Sequence, residues 1–84
     1  MNPAQLKDAV LEALYSVAPE AEGEPINPAT NLRDQLDIDS MDFLNFLVAV
    51  KDAVGVEVPE ADYTQVASLD DCIRYLTARL PAGS

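Results

Sequence analysis

The strongest constraint on the fold is the segment 40–54, where apolar residues recur at helical spacing between a good N-cap, Asp39, and a helix-ending glycine, Gly55. On a helical wheel, one apolar set falls within about one third of the circumference. This set consists of Phe43, Phe46, Leu47, Val50 and Val54. A second set, on another side, consists of Met41, Leu44 and Val48. Because a small domain does not bury a helix all the way round, we expect the first set to face the core and part of the second to stay exposed.

The rest of the chain predicts further helices and no sheet. An N-terminal helix should begin at Asn2-Pro3 and end before Pro19, and residues 60–66 predict one or two helical turns. Ser68 should cap a last helix, whose predicted buried stripe consists of Leu69, Cys72, Ile73, Leu76 and Leu80. The short apolar segment 56–58 is the one candidate strand and has no partner. The predicted fold class is all-α, a small four-helix bundle with three longer helices and one short helix.

A long loop should follow the first helix, because residues 19–28 contain three prolines and a glycine. Connections as long as 19–39 are uncommon unless they are functional or carry some structure of their own. We expect Thr30 to cap a short turn over residues 31–36, with Leu32 and Leu36 anchoring the loop to the core.

Composition limits the class of protein. A chain of 84 residues with 49% hydrophobic residues is long enough for one domain, 1–84, and contains no apolar run near the roughly 20 residues that span a bilayer. The N-terminus lacks a basic stretch followed by an apolar one, so we expect no signal peptide and a cytoplasmic protein. From its composition we also expect the protein to be soluble, and we expect it to be a monomer. Cys72 is the single cysteine, which excludes an internal disulfide, and its place in an apolar stripe predicts a core residue.

The chain is strongly acidic. Fifteen acidic residues against five basic ones give a formal net charge of −10. This charge repels nucleic acid and anionic lipid and favours encounters with basic protein surfaces, although acidic residues also serve simply to keep a small protein in solution.

Ser40 stands at the start of the helix 40–54, between the two apolar sets. Backbone N–H groups are unpaired there and the helix dipole favours negative charge, so a phosphate ester on Ser40 would gain roughly 0.3 to 1 kcal/mol. Taken alone, the dipeptide Asp39-Ser40 favours a plain helix cap. A nucleophilic serine would need a base within reach, but the chain has no histidine and Lys51 lies about 16 Å along the same helix. We therefore predict no catalytic residue and no enzymatic activity.

A cluster of carboxylates raises the question of a metal site. Asp34, Asp37, Asp39 and Asp42 lie close together in sequence. Counted from Asp37, however, the EF-hand pattern puts Asp42 where glycine is required and Val48 where a glutamate should bind. We predict no defined metal site.

The segment Leu36-Asp37-Ile38-Asp39-Ser40-Met41-Asp42 resembles the Asp-Ser-Leu attachment motif of the acyl carrier protein family, at the start of the second of four helices. The layout is similar over nearly the whole chain, including the long first loop, the connection 55–60 and the final helix. The resemblance implies that a phosphopantetheinyl transferase attaches phosphopantetheine to Ser40. It also implies that acyl groups ride on the arm as thioesters and are presented to acyl-loading, acyl-transfer or condensing enzymes with basic docking patches.

By position, the resemblance assigns partner recognition to six residues of this helix: Asp39, Met41, Asp42, Leu44, Val48 and Asp52. The chain departs from the family at Met41, where leucine is common, at Asn45 and Lys51, where acids are common, and at the bulky Phe43. These departures favour a specialised lipid or polyketide-type pathway. Two alternatives stay open: an acidic helical interaction module without an arm, and a peptidyl or aminoacyl carrier.

Overall fold

The fold contains four α-helices in the described part of the chain, residues 2–80 of a computed structural model. These are α1 (Pro3–Val17), α2 (Leu32–Gln35), α3 (Ser40–Val54) and α4 (Leu69–Arg79), with 3₁₀ helices at Pro19–Ala21 and Glu60–Val66. Residues 2–80 form no strand, and the one β-bridge among them is isolated. The all-α prediction of three longer helices and a short one is confirmed. Met1 and residues 81–84, which the predicted domain includes, lie outside the described residues.

Side-chain caps start the three long helices where the sequence predicts. In α1, Gln5 N donates to Asn2 Oδ1 at 2.8 Å and Asn2 N donates to Gln5 Oε1 at 3.1 Å, which is a reciprocal capping box. In α4, Asp71 N donates to Ser68 Oγ at 3.1 Å. These bonds satisfy backbone donors that have no partner inside the helix.

The short helix α2 is capped by Asn31 and not by Thr30, so the prediction of a Thr30 cap is wrong. Arg33 N donates to Asn31 Oδ1 at 2.8 Å, and Leu32 N donates to Ala67 O at 2.8 Å. The backbone of Asn31 is not helical, with φ −52° and ψ 129°, so the helix begins one residue later than expected and covers 32–35 instead of 31–36.

The long loop before α2 is held by the side chain of Gln35. Its Nε2 donates to Asn27 O at 2.8 Å and to Thr30 O at 3.0 Å, while its Oε1 accepts from Asn27 N at 2.9 Å. Asp70 N also donates to Pro28 O at 3.0 Å, at the start of α4. The loop therefore has an ordered course despite its prolines.

The core lies between α1, α3 and α4, with α1 packed chiefly on α3. The predicted core set of α3 is confirmed at four positions, Phe43, Phe46, Leu47 and Val50, while Val54 is only partly buried near the helix end. In α4, Leu69, Cys72 and Leu76 are buried as predicted, whereas Ile73 and Leu80, the residue that follows α4, are partly buried.

Tyr75 is buried in α4, and the sequence pattern did not predict it. Its hydroxyl donates to Asp62 Oδ2 at 2.6 Å, and Arg79 Nη2 lies 3.5 Å from the same oxygen. The Arg79 guanidinium stacks 3.5 Å from the centroid of the Tyr75 ring. These contacts fasten the 3₁₀ helix Glu60–Val66 to α4.

Gly55 ends α3 in the left-handed conformation, with φ 76°, and its N–H donates to Lys51 O at 2.7 Å. A Cβ at this position would meet no atom within 4 Å, so only the backbone conformation resists substitution. We expect Gly55→Ala to lower the free energy of unfolding by roughly 1 to 2 kcal/mol in urea denaturation. Gly55→Asn should lower the free energy of unfolding by less, because asparagine tolerates the left-handed conformation better than alanine does. Equal losses in the two variants would contradict this explanation.

Candidate functional site

Ser40 is the first residue of α3 and is exposed. The cap of α3 is formed by its neighbours: Asp42 N donates to Asp39 Oδ1 at 2.9 Å, and Asp39 N donates to Asp42 Oδ2 at 3.4 Å. Because Asp39 performs the capping, the helix start does not depend on the Ser40 hydroxyl. An exposed hydroxyl at the positive end of a helix can accept a negatively charged substituent.

The α3 apolar face consists of Met41, Leu44 and Val48, which are 63%, 39% and 52% exposed. The predicted second apolar set is thus exposed throughout. Asp52 continues the same side of the helix one turn further on and is also exposed. The structure therefore brings four of the predicted recognition residues onto one surface. Asp39 and Asp42 differ from them, since both belong to the cap of α3; Asp39 is exposed and Asp42 is half-buried.

A cleft of about 510 Å³ opens beside Ser40, between the start of α3, α2 and the 3₁₀ helix Glu60–Val66. This volume lies within the usual range of small-molecule sites. Its lining consists of Asn31, Arg33, Ser40, Met41, Phe43, Leu44, Glu60, Tyr63, Thr64 and Ala67. The side of the cleft contributed by α3 could be anticipated from the wheel. The other side could not, because its residues are distant in sequence.

Two aromatic side chains, Phe43 and Tyr63, line this cleft. The centroid of the Phe43 ring lies 5.9 Å from that of Phe46 and 6.1 Å from that of Tyr63, the second pair meeting edge to face at 82°. Such pairs add about 0.5 to 1.5 kcal/mol beyond the burial of their surface. Phe43 therefore both lines the cleft and packs against the buried Phe46 of the core.

Cys72 is fully buried, which confirms it as a core residue. Burial raises the pKa of its thiol from 9.0 to about 12, so the thiol is protonated at neutral pH. No group of three or more histidine, cysteine or acidic side chains within residues 2–80 is placed to hold a metal ion.

An acidic helical bundle that presents an exposed serine at a helix start, beside a cleft and an exposed apolar face, has the features of a carrier domain. Comparison with known proteins agrees: residues 4–76 match the family model described as a phosphopantetheine attachment site. The chain belongs to the phosphopantetheine-binding acyl carrier protein family.

Three curated relatives are named acyl carrier protein. The protein of Thermobifida fusca is 31% identical over 70 residues, which cover 80% of this chain and 89% of that protein. The protein of Lactobacillus acidophilus is 28% identical over 57 residues, covering 68% and 71%. That of Acidothermus cellulolyticus is 26% identical over 73 residues, covering 83% and 87%.

Membership of this family makes the chain a carrier and not an enzyme, with phosphopantetheine as its covalent prosthetic group. The bound group supplies a flexible arm with a terminal thiol that forms thioesters. Acyl carrier proteins interact with transferases and with acyl-handling enzymes. Within residues 2–80, no helix has the length and apolar character that crossing a bilayer requires.

Proposed function

We propose that Ser40 carries the phosphopantetheine arm and that the chain presents acyl thioesters to enzymes of a specialised lipid or polyketide-type pathway. The observation that carries the proposal is the exposed Ser40 at the first position of α3, beside a cleft of about 510 Å³. A short tether raises the effective concentration of its cargo to roughly millimolar at a docked active site. Weak, short-lived docking then suffices for delivery.

The other described serines fit the attachment poorly. Ser68 is 4% exposed, and its hydroxyl caps α4. The Ser16 hydroxyl donates to Ala13 O at 2.6 Å on the surface of α1, away from any helix start. Within residues 2–80, Ser40 is therefore the serine best placed for a transferase to reach.

The specialised pathway is supported by the residues around the site. Phe43 is 6% exposed and packs edge to face with Tyr63. At the position of Phe43 the family often has a small polar residue. Lys51 lies at a position where an acid is common in the family, and it forms an exposed ion pair with Glu57 at 3.8 Å. A bulky buried Phe43 beside the cleft and a less negative α3 both favour partners that differ from those of housekeeping fatty-acid synthesis.

The attachment is tested by intact-protein mass after incubation with coenzyme A, magnesium and a broad-specificity phosphopantetheinyl transferase. We expect the wild type and Ser16→Ala to gain one phosphopantetheinyl group, and Ser40→Ala to gain none while keeping its helical circular dichroism. No gain in any of the three, with several transferases, would contradict the proposal and favour the interaction module without an arm. If the modified protein accepts amino acids from an amino-acid-activating enzyme and no acyl group from acyl-loading enzymes, the peptidyl or aminoacyl carrier is favoured.

Docking of the transferase and of acyl-handling enzymes should use the α3 apolar face together with Asp52. We expect Asp52→Arg to slow modification of Ser40 by roughly tenfold at low salt, because charge reversal removes electrostatic attraction to a basic partner surface. Asp52 is preferable to Asp42 for this test, since a change at Asp42 would also disturb the cap of α3.

The matched control is Glu12→Arg, an equal charge reversal at an exposed position of α1. It should leave the rate nearly unchanged. The effect of Asp52→Arg should shrink as salt is added, because salt screens exposed charges. Similar slowing in both variants would mean that net charge, and not this surface, governs docking.

A further inference from the structure

Arg33 is a basic side chain on the rim of the cleft beside Ser40. The chain has five basic residues against fifteen acidic ones, which makes a cation at this place unusual. Ion pairs engage Lys51, Arg74 and Arg79, whereas Arg33 forms no ion pair with any of residues 2–80. Its guanidinium is therefore available to a ligand.

The backbone of Arg33 is held firmly in this position. Arg33 follows Leu32, which is fully buried and whose N–H donates to Ala67 O at 2.8 Å. The N–H of Arg33 itself donates to the Asn31 side chain at 2.8 Å. These two hydrogen bonds and the burial of Leu32 fix α2, and with it the side of the cleft on which Arg33 lies.

The charges around the cleft favour an anion at Arg33 over other points of the rim. Glu60 lies on the same rim and would repel an anion near it. Asp39 and Asp42 flank Ser40 and would repel a negative group attached there. Of the cleft-lining side chains, only Arg33 offsets this repulsion, and its planar fork of N–H donors matches phosphate and carboxylate oxygens in pairs.

We propose that Arg33 binds an oxyanion that the arm brings into the cleft. Two sources carry this chemistry: the phosphodiester formed at Ser40, and a carboxylate at the far end of a dicarboxylic acyl group. The proposal rests on attachment of the arm at Ser40. It deepens that assignment by naming the residue that positions the arm or selects an acidic cargo.

The test follows the side-chain Nε–H resonances of the arginines in ¹⁵N-labelled protein. The unmodified protein is compared with forms made by the transferase from coenzyme A, valeryl-coenzyme A and glutaryl-coenzyme A, each verified by mass. Arg33→Lys assigns the Arg33 signal by its loss. Arg74 and Arg79, which pair with Asp71 and Asp62, serve as internal controls that should not move.

A shift of the Arg33 signal in all modified forms would support the phosphodiester as the anion. A shift with the glutaryl arm but not the valeryl arm would support the carboxylate. An unmoved Arg33 signal in protein whose mass shows loading would overturn this inference and leave the carrier function intact. Absence of any mass gain would overturn both.

A second readout uses the glutaryl carboxylate itself. If Arg33 binds it, its pKa measured by ¹³C labelling should be lower in the wild type than in Arg33→Gln, and Arg74→Gln should match the wild type. Equal values in all three proteins would exclude the carboxylate and leave the phosphodiester as the one anion that the Nε–H shifts can support.

Discussion

Replacing Phe46 by alanine is expected to leave the chain largely unfolded at 25 °C. Phe46 is fully buried and packs against Phe43 at the centre of the core. Removing a buried phenylalanine costs about 3 to 5 kcal/mol, and a core of this size rarely supplies more than about 3 to 5 kcal/mol in total. The expected result is loss of the helical signal at 222 nm, with no cooperative urea transition.

The matched control lies on the same helix and is apolar but exposed. Val48→Ala removes side-chain atoms from a residue that is 52% exposed, so its free energy of unfolding should stay within about 0.5 kcal/mol of the wild type. Phe46→Leu should restore part of the lost stability, because it refills most of the cavity. A cooperative transition near the wild-type midpoint in Phe46→Ala would show that the core does not depend on this side chain.

Alkaline pH is expected to weaken the fold strongly between about pH 9 and 12. The pKa of Cys72 is about 12 in the folded chain against an ordinary value of 9.0, because burial disfavours the thiolate. The fold thus favours the protonated thiol, so this contribution is complete below pH 9 and is lost as the pH rises towards 12. Three pH units correspond to about 4 kcal/mol at about 1.36 kcal/mol per unit.

Tyr75 acts in the same direction. Its pKa is raised by desolvation and by the hydrogen bond to the Asp62 carboxylate, an effect that the nearby Arg79 guanidinium partly offsets. Ionisation of Tyr75 at high pH would remove the proton that its hydroxyl donates to Asp62. Its contribution to stability is therefore also present below its ordinary pKa and lost above it.

The measurement is urea denaturation at intervals from pH 8 to 11, in the wild type, Cys72→Ala and Tyr75→Phe. We expect the free energy of unfolding to fall less steeply with pH in Cys72→Ala, even though its stability at pH 8 is lower. Comparing slopes separates the thiol from the general repulsion of an acidic chain, which all three proteins share. Parallel curves for the wild type and Cys72→Ala would rule out the thiol as the cause.

The sequence predicted α3 well because all the relevant signals are local. Asp39 and Gly55 mark its ends, and the wheel separates Phe46 from Val48 correctly, since helical periodicity alone decides which side each faces. The exposed position of Ser40 follows from the same periodicity. Helical periodicity predicts burial correctly here because α3 packs one side against a small core and leaves the other in solvent.

The far side of the cleft was not predictable in the same way. Tyr63 and Arg33 meet the start of α3 only because α2 is bonded to the segment before α4, through Leu32 N and Ala67 O. The cap at Asn31 was missed for the same reason, since a contact with a distant part of the chain fixes where α2 starts. Burial of Tyr75 was not predicted because a tyrosine is usually buried only when its hydroxyl has a hydrogen-bond partner. Here the partner is Asp62, which the local sequence pattern does not reveal.

The division of roles between Asp39 and Ser40 has a thermodynamic consequence. Because the capping bonds of α3 belong to Asp39 and Asp42, the folded helix neither gains nor loses a bond when the neighbouring hydroxyl is esterified. A negative group attached at Ser40 would then influence folding through its charge, by way of the helix dipole and the carboxylates of Asp39 and Asp42, and not through a lost capping bond. The unmodified chain therefore has the complete cap of α3 and can fold before any group is attached to Ser40.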